Sequence, residues 1–140
     1  MAYSLLYVSK ALLTFPAGEA EVAAIVQASC VRNALLDVTG ALISTGGCFA
    51  QVLEGDETAV AELMHSINND PRHMRVKIIR TTEEPRRFAG WSMAYSGHAS
   101  FVDRHITPLF SPLSAGDTAH LALKLIALME EFARLPSRSP

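Results

Sequence analysis

The chain has 140 residues, of which 49% are apolar and 19% are charged, and this suits one domain with a single well-formed core. Its formal net charge of -2 gives no overall attraction to polyphosphate, which argues against non-specific nucleic-acid binding. The N-terminus lacks the basic segment of a secretory signal and no apolar run reaches the roughly 18 to 20 residues of a membrane span, so we expect a cytoplasmic protein without a membrane partner.

The first part of the chain predicts two strands separated by a helix, followed by a third strand. Residues 3–9 are aromatic, β-branched and apolar on both faces, as expected of a central strand that is covered on both sides. Apolar residues at helical spacing then predict an amphipathic helix over residues 22–30. Residues 38–45 and 48–55 predict two strands, and the Gly-Gly pair between them indicates a hairpin.

The second part of the chain predicts another helix, two more strands and a C-terminal helix. Asp56 is a suitable N-cap for an amphipathic helix, which the Asn-Asp-Pro sequence at residues 69–71 ends. Residues 74–81 predict a fourth strand and residues 91–96 a fifth. Residues 117–135 predict a capped helix with a wide apolar face.

This order of elements predicts an α+β fold of the ferredoxin-like βαββαβ type with an added fifth strand. Right-handed crossovers place the first two helices on one sheet face and the first and third strands side by side at the centre. Because the first strand is apolar on both faces, we expect the C-terminal helices to cover the other face. Their apolar surface could also serve a dimer or a partner protein. We therefore divide the domain into a core, residues 1–96, and a C-terminal helical extension, residues 97–140.

An amide stands out in the third predicted strand. Strand alternation places Gln51 on one face with Phe49 and Leu53, so its surroundings are apolar. A buried amide without hydrogen-bond partners costs on the order of 1 to 3 kcal/mol, and Tyr7 of the neighbouring first strand can supply a hydroxyl. A bound heterocycle could supply further partners. Taken alone, such a residue is more often a partly exposed or structurally satisfied glutamine.

Five motifs occur in one order along this part of the chain. They are LLYVS with Tyr7, RNALLDVTGAL with Asn33, GGCFAQVLEG with Gln51, DPRH at residues 70–73 and RRFAGWSM at residues 86–93. In this order and spacing they resemble the BLUF family, the blue-light sensors using FAD, over about residues 2 to 96. The hairpin motif around Gln51 is the most specific of the five.

The resemblance implies a flavin, expected to be FAD, bound non-covalently between the first two helices. FMN and riboflavin are not excluded, because the residues that can be named address the ring and the ribityl chain. Ile25 and Ile67 would enclose the ring, and Asn33 can both give and accept hydrogen bonds at its polar edge. Arg32 stands where relatives have Asn or His, so its contact with the pyrimidine side of the flavin is expected to differ.

The DPRH motif resembles the family's contacts further along the cofactor. Arg72 and His73 are expected toward the ribityl and phosphate side, with Asp70 nearer the ring. The alternative is a solvated basic turn between helix and strand. For Asn33 the alternative is a helix C-cap, because asparagine tolerates the left-handed conformation.

The resemblance also implies a photochemical mechanism centred on Tyr7 and Gln51. After excitation Tyr7 gives the flavin an electron and a proton, with Gln51 relaying the proton, and the transfer then reverses. Gln51 remains rotated or tautomerised, which changes its hydrogen bond to the flavin and shifts the absorption to the red. Trp91 and Met93 on the predicted fifth strand are the expected route of signal transmission to an unidentified downstream protein or to the geometry of a homo-oligomer.

Two other classes of function stay open at this stage. One is an enzyme on a ferredoxin-like scaffold, which is not expected because the sequence has no paired nucleophile and base, no set of metal ligands and no phosphate-binding loop. The other is a colourless interaction module that uses the C-terminal helix alone. Flavin bound after purification would separate this interaction module from the sensor.

Overall fold

The computed structural model describes residues 1–12, 19–45, 47–94 and 102–134. The strands are β1 (Ala2–Ala11), β2 (Thr39–Ser44), β3 (Cys48–Gly55) and β4 (His73–Glu84). The helices are α1 (Glu19–Leu35), α2 (Glu57–Asn68), the short α3 (Asp103–Ile106) and α4 (Ala115–Arg134). A 3-10 turn, Thr107–Phe110, directly follows α3.

The four strands form an antiparallel sheet in the order β2-β3-β1-β4, which confirms the α+β, ferredoxin-like prediction. As predicted, β1 and β3 are neighbours at the centre. Tyr7 lies directly opposite Gln51 in this pairing, and on its other side Tyr7 is opposite Ile78 of β4. The sheet topology therefore brings two residues that are 44 positions apart in sequence into contact.

Strand alternation divides the buried residues into two cores. One core lies under α1 and α2 and includes Tyr7, Phe49 and Leu53 from the strands. The other lies under the C-terminal helices and includes Val8, Ala50 and Val52 from the same strands, packed against the buried residues of α4. This arrangement confirms that the first two helices share one sheet face and that the C-terminal helices cover the other.

Side chains cap the N-termini of α2 and α4. The Asp56 carboxylate accepts the N–H of Thr58 at 3.1 Å and so caps α2 as predicted. The predicted start of the C-terminal helix at Asp117 is two residues late, because α4 begins at Ala115 and the Ser114 hydroxyl oxygen accepts the Asp117 N–H at 3.1 Å. Its predicted last residue, Leu135, lies outside the described residues.

The predicted fifth strand is reduced to one parallel bridge, between Ala94 and Ala41 of β2, within the described residues. Gly90 has a φ of +89°, and the Trp91 N–H donates to the Phe88 carbonyl at 2.9 Å, so the backbone turns here instead of extending. The rest of the prediction, residues 95 and 96, lies outside the described part of the chain. None of the helices described is both long and apolar enough to cross a bilayer.

Candidate functional site

A cavity of about 230 Å³ opens between α1 and α2 above the central strands. All nine residues predicted to carry photochemistry or to bind flavin line it: Tyr7, Ile25, Arg32, Asn33, Gln51, Ile67, Asp70, Arg72 and His73. Ile25 and Ile67 are half-buried and contribute apolar wall from α1 and α2 respectively. The central strands contribute a floor that carries Tyr7 and Gln51. An apolar cleft with a few converging polar groups is the usual form of a site for a flat heterocycle.

The floor of the cavity is organised around Gln51, which is 6% exposed. The Tyr7 hydroxyl donates a hydrogen bond to Gln51 Oε1. Because that bond occupies the carbonyl end of the amide, its Nε2 points to the other side, where it lies 3.6 Å from the sulfur of Met93. Tyr7 and Met93 thus flank the amide, and their positions indicate which end is the carbonyl and which is the amino group.

Tyr7 is held in its protonated form. Burial raises the pKa of its hydroxyl above the ordinary value for tyrosine, and the negative charge of Asp70 raises the pKa further. A protonated hydroxyl can donate to Gln51, and this is the geometry that the structure shows. The protonated state of Tyr7 is therefore compatible with the observed orientation of the Gln51 amide.

Asn33 lies on α1 at the edge of the same floor and is 1% exposed. Its Nδ2 donates to the Ser92 carbonyl at 2.9 Å, and no residue in the described ranges donates to its Oδ1. An amide oxygen at a cavity wall that no described protein group occupies is suited to an N–H of a ligand, as the ring of a flavin would supply. The residues present therefore fit a flavin.

The alternative role of Asn33 as a left-handed helix C-cap is wrong. The left-handed residue is Asp37, with a φ of 54°. The N–H of Val38 donates to the Asn33 carbonyl at 2.8 Å and that of Asp37 to the Ala34 carbonyl at 3.3 Å, which is a Schellman ending. The side chain of Asn33 is consequently free of any capping role and points to the site.

Asp70 and Arg72 form an ion pair at the cavity, with 2.6 Å between Asp70 Oδ2 and an Arg72 terminal nitrogen. Hydrogen bonds from the Arg72 side chain hold the pKa of Asp70 below its usual range. Asp70 is therefore ionised next to Tyr7. Arg32, also at the cavity, is exposed and lies on the last turn of α1.

His73 is fixed by hydrogen bonds at both ring nitrogens, so the alternative of a solvated turn is wrong for this residue. Nε2 lies 2.6 Å from the Ile67 carbonyl and must donate to it, while Nδ1 lies 2.7 Å from the Ser9 hydroxyl. The ring also meets Tyr7 and Phe49 edge-on, each with 6.2 Å between ring centroids. His73 can offer a ligand its ring surface, whereas its two nitrogens already have partners.

The structure separates the two residues predicted to transmit a signal. Met93 is 4% exposed and contacts Gln51, whereas Trp91 is 47% exposed. Eight further residues line the cavity that the sequence prediction did not assign to it, among them Ser29, Leu63 and Ser66. Leu63 belongs to the apolar stripe of α2 and Ser29 lies one turn from Ile25, so helical spacing could have identified both.

Residues 2–94 match the family described as "Sensors of blue-light using FAD" (BLUF). The photoactivated adenylate cyclase subunit beta of Euglena longa is 40% identical over 73 residues, which cover 52% of this chain and 8% of that protein. The matched segment thus spans less than a tenth of the length of that relative.

Two solved structures resemble the chain over most of its length. The dark-state structure of BlrB, a BLUF protein, is 31% identical with a TM-score of 0.70, covering 91% of this chain and 96% of BlrB. Klebsiella pneumoniae BlrP1 with FMN and cyclic diGMP is 27% identical with a TM-score of 0.64, covering 90% of this chain and 35% of BlrP1.

Proposed function

The chain belongs to the BLUF family of flavin-using blue-light sensors, and on that premise we propose that it binds FAD non-covalently in the cavity between α1 and α2 and uses Tyr7 and Gln51 as its photochemical pair. The single observation that carries the proposal is the hydrogen bond from the buried Tyr7 hydroxyl to Gln51 Oε1 at the cavity floor. The proposed flavin-binding residues are Ile25, Arg32, Asn33, Ile67, Asp70, Arg72 and His73.

The proposed roles of the binding residues follow from where they lie. Ile25 and Ile67 enclose the flat ring, and Asn33 Oδ1 accepts an N–H from its polar edge. Arg32 and Arg72 add positive charge at the cavity, although the Asp70 carboxylate neutralises Arg72 in part. None of these contacts distinguishes FAD from FMN, and so the preference for FAD is tested by competition between the two for the same protein.

The photochemistry begins at Tyr7. When bound, the flavin absorbs blue light and can then withdraw an electron from a neighbouring donor. Tyr7 is that donor, and loss of an electron makes its hydroxyl strongly acidic, so its proton moves along the existing hydrogen bond to Gln51 Oε1. Return of the electron and proton restores Tyr7, while the Gln51 amide stays in a new rotamer or tautomer.

The persistent change is the exchange of the two ends of one amide. In the structure the carbonyl end of Gln51 faces Tyr7 and the amino end faces Met93. Rotation of the amide turns its amino donor toward Tyr7 and its carbonyl acceptor toward Met93, and it changes the hydrogen bond that Gln51 makes to the ligand. The expected result is a red-shifted, reversible signalling state.

The output is a change of conformation, and we assign no catalysis to the chain itself. Met93 lies beside Gln51, and the residues before it contact α4, so the change can reach the C-terminal helices. The receiver is proposed to be a separate downstream protein or a second copy of the chain in a homo-oligomer, in the cytoplasm. The cyclase activity in the name of the Euglena relative belongs to that much longer protein.

The test is an absorption spectrum of the flavin-loaded protein in darkness, under blue light and during recovery. We expect the reversible red shift in the wild type, and its loss in Tyr7→Phe and in Gln51→Ala with flavin still bound. Tyr3→Phe is the matched control, because Tyr3 also lies on β1 but does not line the cavity, and it should behave as the wild type. Absence of flavin binding would refute the sensor; a full red shift in Gln51→Ala would refute the photochemical role alone.

A further inference from the structure

A buried carboxylate lies at the end of β3, on the opposite strand face from Gln51. Glu54 is 0% exposed. Its Oε2 accepts the N–H of Arg87 at 2.6 Å, and its Oε1 accepts the N–H of Phe88 at 3.1 Å and the Thr39 hydroxyl at 2.9 Å. A buried charge is costly unless hydrogen bonds occupy it, and these three donors do so. No step of the proposed photochemistry uses this group.

The two N–H groups that Glu54 holds belong to a segment whose far end contacts Asn33 and Gln51, which line the cavity. We call residues 87–94 the anchored segment. Beyond Phe88 the chain turns at Gly90, the Ser92 carbonyl accepts the Asn33 amide, and the Met93 sulfur reaches Gln51. At the far end the Ala94 N–H donates to the Gly40 carbonyl at 2.9 Å. Glu54 therefore fixes the beginning of the segment and β2 fixes its end.

The position of Met93 matters because a thioether sulfur accepts hydrogen bonds and never donates them. It supports the observed orientation of Gln51, in which Nε2 faces the sulfur and Oε1 faces Tyr7. In the opposite orientation Oε1 would face a second acceptor. A firmly placed Met93 thus favours the orientation that the structure shows, and a displaced Met93 does not.

We propose that Glu54 is a positioning residue for the photochemical pair: its carboxylate fixes the anchored segment, residues 87–94, through the Arg87 and Phe88 N–H groups and so holds the Met93 sulfur against Gln51. The anchoring does not depend on a bound flavin. Its consequence for light sensing rests on the proposed function.

The first experiment reports the anchoring without flavin or light. In Glu54→Gln the NH₂ group of the new amide faces the N–H of Arg87 or of Phe88. Two donors cannot bond to each other, so the side chain at position 54 loses at least one of its hydrogen bonds to this segment. We expect hydrogen exchange of the Arg87 and Phe88 amides to accelerate about tenfold, as the loss of roughly 1.4 kcal/mol implies, and the methyl resonance of Met93 to shift or broaden. Glu83→Gln is the matched control, since Glu83 is exposed on β4, and should change neither signal.

The second experiment reports the effect on the flavin-loaded protein as the rate of dark recovery. Glu54→Gln should keep the red shift and recover severalfold more slowly, because the contact that favours the return of Gln51 is weakened. Met93→Leu keeps the volume and removes the acceptor, and should also slow recovery. In the double variant Glu54→Gln should add nothing to Met93→Leu, since both act through the same sulfur.

The outcomes separate this inference from the function on which it rests. If the wild type shows the red shift but Glu54→Gln leaves amide exchange and recovery unchanged, or adds its full effect to that of Met93→Leu, the positioning role is refuted and the sensor stands. If no flavin binds while the amide and methyl signals change as expected, the anchoring stands and the sensor fails. Should Glu54→Gln not fold, Thr39→Val removes one donor to the same carboxylate and should shift both readouts in the same direction, with Thr39→Ser restoring them.

Discussion

The two faces of the sheet are built from alternate residues of the same strands, yet one is closed and the other holds a cavity. Under α4 the buried side chains Val8, Ala50 and Val52 are apolar and 0% exposed. Under α1 and α2 the residues between them include Tyr7 and Gln51, which face the open space. The closely packed face under α4 thus stabilises the fold. This stabilisation offsets the cost of a cavity with polar groups on its floor under α1 and α2.

The largest expected effect is the difference in stability between side-chain truncations on the two faces of the sheet. Leu125 of α4 is 0% exposed, and Leu125→Ala should lower the free energy of unfolding by about 2 to 5 kcal/mol through lost burial and a new cavity. Ile25→Ala at the half-buried wall of the existing cavity should cost only about 1 kcal/mol in the flavin-free protein. Urea denaturation measures both, and equal losses would break the comparison between a closed and an open face.

Ion pairs should make the closed side sensitive to acid. Hydrogen bonds from Arg80 and Arg87 lower the pKa of Glu84 from 4.5 to about 2, and Arg87 also reaches Glu130 of α4 at 2.9 Å. Because this pKa is depressed on folding, the stabilisation is complete above pH 4.5 and is lost as the pH falls toward 2.

The measurement is the stability difference between the wild type and Glu84→Gln across that range. We expect the wild type to be more stable by about 1 to 2 kcal/mol at pH 6, after allowance for solvent screening of a surface pair. The difference should shrink steadily between pH 4.5 and pH 2. A difference that is constant from pH 6 to pH 2 would mean that the ionisation of Glu84 does not stabilise the closed side.

The two cysteines give a smaller test of the same contrast. Cys48 is 2% exposed on the closed face, and burial raises the pKa of its thiol, whereas Cys30 of α1 is half-buried. Alkylation of the folded protein should therefore modify Cys30 first, with Cys48 at least about tenfold slower. Mass spectrometry of the Cys30→Ser and Cys48→Ser variants reports each rate separately, and equal rates would show that the closed face opens readily.

The sequence predicted what depends on periodicity and chain order. Alternation placed Gln51 on one strand face, and the crossover rule placed Tyr7 on the adjacent strand, which together locate the cavity floor. The stripes of the first two helices likewise identified Ile25 and Ile67 as its walls. These features are local or follow from a small number of topological rules, so one sequence is enough to find them.

What the sequence did not predict depends on contacts between distant segments. The strand pattern gives Trp91 and Met93 the same face, but the backbone bends at Ser92 and Met93 instead of extending, so that of the two only Met93 meets Gln51. The hydrogen-bond partners of His73 come from β1 and α2, and no pattern in the sequence near His73 indicates them. The anchoring role of Glu54 was missed for the same reason. Two of the three donors to its carboxylate are backbone N–H groups of a segment more than 30 residues away, and these leave no mark in the residue types.

The most direct test of the central claim observes the Gln51 side chain itself. The chain contains only two glutamines, Gln51 at the cavity and Gln27, which is exposed on α1 and serves as an internal control. In the flavin-loaded protein with ¹⁵N-labelled glutamine side chains, blue light should move the NMR signals of the Gln51 amide group, which return in darkness, and leave those of Gln27 in place. A reversible red shift of the absorption with both sets of signals unmoved would contradict the account.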